Sequence, residues 1–135
     1  MNIARPESWR WPNFTADEFV CRHTGLHGMR ADFLDRLQLL RTKLDFPFEV
    51  SSGYRNPDHP IESGKDPADD VVSPHETGRA VDIRCSHTQA YLLLEAAPKY
   101  GFTGIGVNQR GNARFIHLDD LWGAAGRPRP HVWSY

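Results

Sequence analysis

The chain has 135 residues, a formal net charge of -1, 39% hydrophobic residues and 11% aromatic residues. That length supports one hydrophobic core but not two, so one domain over residues 1–135 is expected. The near-zero charge gives no bulk attraction to nucleic acid or to a membrane surface, and no stretch approaches the ~20 apolar residues of a membrane span. Neither is an expected partner. The start, Met1 to Glu7, has no signal-type apolar run, so synthesis in the cytoplasm and a monomeric state are expected. Cys21 and Cys85 are too few for a disulfide framework and read as reduced thiols, with a single bridge between them left open.

In chain order, Trp9, Trp11 and Phe14 form an aromatic arm that should pack on the domain, because three exposed aromatics in one short stretch favour association. Thr15-Ala16-Asp17-Glu18 has the capping-box pattern of a helix start. His23 and His27 sit among glycines and read as surface loop residues. Met29, Phe33, Leu37, Leu40 and Leu44 recur at helical spacing, which predicts an amphipathic helix from about Arg30 to Leu44. Pro47 stops its continuation, and Phe48 to Ser52 reads as a strand running into Gly53-Tyr54-Arg55. Residues Asn56 to Val72, with Pro57, Pro60, Gly64 and Pro67, read as a long loop over the site, with His59 on its surface. Ala80 to Ile83 is a strand, Ser86-His87-Thr88-Gln89 a second capping box, and a second helix runs to about Tyr100, where Gly101 ends it. Phe102 to Val107 and Phe115 to Asp119 are strands around a hairpin turn, and a basic tail leads to Trp133 and Tyr135, which should tie it down.

The chemistry concentrates in Ser73-Pro74-His75-Glu76-Thr77-Gly78-Arg79-Ala80-Val81-Asp82-Ile83. His75 falls on a loop and Asp82 inside an apolar strand. Burying an isolated carboxylate costs several kcal/mol unless it is paired, hydrogen-bonded or bound to a metal. In Phe115-Ile116-His117-Leu118-Asp119, strand alternation puts Phe115, His117 and Asp119 on one face. Two histidines and one carboxylate, with a fourth position open to water, describe a catalytic zinc site, although this donor set does not exclude other divalent metals. No HExxH helix and no paired CxxC offers another explanation. Arg55, at the end of a strand beside Gly53, is placed to clamp a carboxylate.

These segments resemble the zinc D-Ala-D-Ala carboxypeptidase family of peptidoglycan peptidases, whose fold is shared with the zinc domain of hedgehog proteins. The segments that carry the resemblance are Phe14 to Phe19, Ser52-Gly53-Tyr54-Arg55, Ser73 to Ile83, Gly104-Ile105-Gly106, Phe115 to Asp119 and Trp133-Ser134-Tyr135. It implies an α+β fold in which a small antiparallel sheet carries the metal and two main helices pack behind it. It implies one zinc ion on His75, Asp82 and His117, with Arg55 recognising a peptidoglycan stem peptide and Ser52, Tyr54 and Ser73 beside it. One zinc peptidase domain, released to act on the cell wall as a phage lysin would be, is the expectation. Dipeptidase members carry an acidic general base three residues before the last histidine, where this chain has Arg114. Arginine cannot accept that proton, so Asp119, on the face of His117, is the expected base. A non-catalytic zinc module is the rival that Arg114 favours.

Overall fold

A computed structural model describes residues 2–58 and 72–135. The predicted loop from Asn56 to Val72, with His59, falls almost wholly outside the described residues. Helix α1 spans Ala31–Leu44 and α2 spans His87–Ala96; the strands are β1 (Glu49–Ser52), β2 (Ala80–Arg84), β3 (Gly104–Asn108), β4 (Phe115–Asp119) and β5 (His131–Ser134). They form one sheet in the order β1-β2-β4-β3-β5. The first four strands pair antiparallel, as expected, while β5 adds to β3 in parallel and makes the sheet mixed.

This order follows from the connections. A short turn joins β3 to β4 as a hairpin, whereas β2 reaches β3 through α2, so β4 is inserted between two parallel strands. Period-two alternation then sorts the side chains. Val81, Ile83, Ile116 and Leu118 are fully buried in the core with Phe33, Leu34, Leu37 and Leu40 of α1 and Leu93 of α2. Their neighbours Asp82, His117 and Asp119 occupy the opposite face.

Helix α1 keeps the predicted stripe inward and ends at Asp45, which adopts a left-handed conformation with φ 56°. The aromatic arm packs on it. Trp11 is buried and its indole N–H donates to Asp35 at 2.9 Å, while Trp9 donates to the Phe14 carbonyl at 2.8 Å. The first capping pattern produces only a one-turn 3-10 helix, Ala16–Glu18, with the Glu18 carboxylate accepting from the Thr15 N–H at 2.6 Å. The second produces no capping bond: Ser86 makes no side-chain cap, and His87 enters α2 with φ 52°. Pro98 turns the end of α2 into a 3-10 segment, Ala97–Tyr100. Cys21 and Cys85 are buried free thiols.

Asp120, just after β4, is buried on the helix side. Arg36 of α1 reaches it at 2.7 Å and Arg79 at 3.3 Å, and Arg79 also grips Asp32 through two bonds of 3.0 and 2.8 Å. This knot ties α1 to the end of the sheet. Leu37 has no exposed surface at the centre of the helix–sheet contact. Leu37→Ala should therefore destabilise the fold by about 2–5 kcal/mol, read as a lowered urea midpoint with an unchanged slope.

Candidate metal centre

The site sits on the sheet face away from the helices. Asp82 of β2 and His117 of β4 are register partners, so strand pairing alone brings them side by side. His75 arrives from a short 3-10 helix, Pro74–Thr77, which packs against β2. Its placement depends on the segment after β1: the Arg55 N–H donates to the His75 carbonyl at 3.1 Å, and His75 Nδ1 lies 2.8 Å from the Gly53 carbonyl. Asp82 Oδ1 is 3.3 Å from His75 Nε2 and 3.0 Å from His117 Nδ1.

Hydrogen bonding fixes both imidazoles. A carbonyl can only accept, so His75 carries a proton on Nδ1 and presents the Nε2 lone pair to Asp82. On the other side, His117 Nε2 is 2.8 Å from Asp119 Oδ2. Burial pushes the Asp119 carboxyl up, but hydrogen bonds with His117 and Arg129 outweigh it and hold the pKa down at about 2. Asp119 is thus an ionised acceptor, His117 carries its proton on Nε2, and Nδ1 faces Asp82 as a lone pair. Three acceptor atoms confront one another and repel unless a cation lies among them.

A proton on one ring is one such cation. Burial opposes charge on His117, yet the flanking Asp119 and Asp82 raise its pKa, and the two imidazoles likewise hold Asp82 well below the usual carboxylate range despite burial. A metal ion is the other. The ligand atoms of His75, Asp82 and His117 all lie within 4.8 Å of one another. A tetrahedral ion with bonds of ~2.0–2.1 Å needs ligand atoms about 3.3 Å apart, so the residues fit one zinc-sized ion. The Asp119–His117 pair has the carboxylate–histidine geometry that would orient His117 towards such an ion.

Asp119, the expected base, is enclosed by the protein. It has no exposed surface. Arg129 Nε and Nη2 donate to its two oxygens at 2.9 and 2.8 Å, the Leu121 N–H donates to Oδ1 at 3.3 Å, and His117 occupies Oδ2. It stands on the Nε2 side of the His117 ring. Strand alternation rightly put it on the His117 face but could not show which end of the ring it would meet. Gly104, its cross-strand neighbour in β3, leaves the room: a Cβ there would collide with the Asp119 carboxylate.

A cleft of about 330 Å³ opens over the cluster, lined by Arg55, Ser73, Pro74, His75, Asp82, Phe115, His117, Trp133 and Tyr135. Arg55 and Ser73 therefore border it. Ser52 and Tyr54 do not line it, although Ser52 is the cross-strand partner of Asp82 in β1; the Tyr54 ring lies over Gly28 against the core. Trp133 and Tyr135 do more than anchor the tail. Gly106 lets them lie over β3, and the Trp133 ring centroid is 5.1 Å from that of His117. Arg129, read from sequence as part of a basic tail, is the residue that was missed. The only sequence signal for it was that a buried Asp119 needs a cationic partner. His23 is exposed and His27 half-buried in the Cys21–Met29 loop, outside the cleft.

A family model for peptidase M15 matches residues 12–119, most of the chain and all three candidate ligands. The chain belongs to the peptidase M15 family. No curated protein matches it significantly. As an M15 peptidase it is a hydrolase of peptide bonds, and among its described residues no helix is long and apolar enough to cross a membrane.

Because the Asp119 pKa is depressed, its ionic contacts contribute stability above its unfolded pKa of about 4, and that stability is lost as pH falls through about 2. In chelator, the thermal midpoint should fall steeply across this window. The fall should be shallower in Asp119→Asn, which starts from a lower midpoint because Arg129 is left buried beside a neutral group.

Proposed function

We propose that this M15 peptidase is zinc-dependent and hydrolyses an amide bond in peptidoglycan stem peptides. The observation that carries the reading is the convergence of three lone-pair donors, His75 Nε2, Asp82 Oδ1 and His117 Nδ1, beneath a cleft with Arg55 on its wall. Those three residues would hold the ion, which supplies a Lewis acid for the scissile carbonyl and lowers the pKa of a water towards ~7. Arg55 binds a substrate carboxylate through its two-pronged guanidinium, which suits short peptides ending in, or carrying, a free carboxylate. Phe115, Trp133 and Tyr135 form an aromatic wall of the cleft. Tyr135 also lines the cleft, where its phenolic O–H can donate a hydrogen bond to a bound substrate.

A second reading, a non-catalytic zinc module, draws on two observations. Arg114 stands where the dipeptidase members of the family carry an acidic base, and both Asp119 oxygens are engaged. Mass spectrometry of a stem pentapeptide and of purified peptidoglycan, incubated with zinc-loaded protein, separates the readings. Loss of only the terminal D-Ala marks a carboxypeptidase, while internal stem fragments mark an endopeptidase and favour a lysin that acts once released to the wall. A folded, zinc-occupied protein that yields no product favours the binding module. His117→Ala should abolish cleavage, and Arg55→Ala should lower kcat/KM by roughly tenfold to a hundredfold, as expected for one charge-assisted contact.

A further inference from the structure

Three residues that complete the cleft or its support, Arg129, Trp133 and Tyr135, lie beyond residue 119, where the family match ends. Arg129 is the least expected of them. Its side chain is 5% exposed and its fork closes on both oxygens of the fully buried Asp119. Its guanidinium carbon also lies 5.1 Å from the Trp133 ring centroid, and Trp133 in turn packs beside His117. The contacts close a ring: His117 to Asp119 to Arg129 to Trp133 and back to His117.

We propose that Arg129 is a positioning residue of the site, which locks Asp119 so that His117 presents Nδ1 towards the metal and which braces the Trp133 wall of the cleft. A carboxylate held at one oxygen can turn about its terminal torsion, which is broad, and the imidazole bonded to it can follow. Two parallel bonds from a planar fork remove that freedom, leaving Oδ2 aimed at His117 Nε2. A lysine would supply the charge without the fork. The same guanidinium lies over the indole face in a cation–π arrangement, so the orientation of the metal ligand and the position of the cleft wall share one support.

This inference rests on the metal reading above, and its test keeps the two apart. Zinc affinity is measured by competition with a chromophoric chelator for the wild type, Arg129→Ala, Arg129→Lys, Asp119→Asn and the double variant Arg129→Ala/Asp119→Asn. Circular dichroism and thermal unfolding check the fold of each. Arg129→Ala should bind zinc roughly 10–100-fold more weakly, the loss seen when outer-shell partners of metal ligands are removed. Arg129→Lys should recover part of that loss, and the double variant should bind about as weakly as Asp119→Asn alone, because both changes break one chain of contacts. Wild-type affinity in folded Arg129→Ala, or losses that simply add in the double variant, would overturn the inference. Should Arg129→Ala fail to fold, unchanged affinity in Arg129→Lys overturns it equally. A wild-type chain that takes up no zinc overturns the metal reading and this inference with it.

Discussion

Asp82 is a charge placed where an apolar residue would ordinarily be. It lies in the middle of β2, between Val81 and Ile83, whose side chains are fully buried on the other face. A lone carboxylate there would be expelled or neutralised, because transfer from water costs far more than the strand's pairing returns. The fold faces it with two imidazoles whose protons are drawn away, one by the Gly53 carbonyl and the other by Asp119, so the carboxylate is compensated only when a proton or a metal ion lies among the three. The result is a cluster of three electron-pair donors under a cleft whose wall carries Arg55.

The end of β4 shows how the same chain holds both sides of its sheet. Asp119 and Asp120 are adjacent and point to opposite faces, each buried and each met by arginine. On the cleft side Arg129 comes from the approach to β5; on the helix side Arg36 and Arg79 come from α1 and from the start of β2. One dipeptide thus fastens the added parallel strand to one face and the main helix to the other. Buried ion pairs of this kind contribute little net stability compared with apolar packing, but losing one partner leaves the other stranded. They specify geometry more than they hold the fold together.

Much of this was legible in the sequence for reasons that can be named. The apolar stripe from Met29 to Leu44 has helical period, and its hydrophobic face is what the sheet covers. The alternation in Phe115 to Asp119 gave the face of His117, and the improbability of Asp82 inside an apolar strand marked it as paired or ligated. What was not legible depends on contacts remote in sequence. Nothing near Arg129 distinguishes it from its neighbour Arg127, and only the crossover that brings β5 beside β3 carries it to Asp119. The role of Asp119 turned on the ring nitrogen it meets, which periodicity does not reveal. Ser52, Tyr54 and Arg55 are close in the chain, yet of the three only Arg55 lines the cleft, and proximity in sequence does not reveal which of them the turn after β1 carries there.

The register of β2 against β4 carries a further consequence. Asp82 and His117 are direct cross-strand partners although 35 positions separate them in the chain. In the unfolded chain a long loop must close before they meet, so an ion has almost nothing to grip until the central ladder has formed. An ion bound only by the folded form acts as a thermodynamic brake on unfolding, one that tightens with the logarithm of its free concentration. The persistence of this protein would then depend on where it is, and a compartment poor in the ion would shorten its lifetime with no change in sequence.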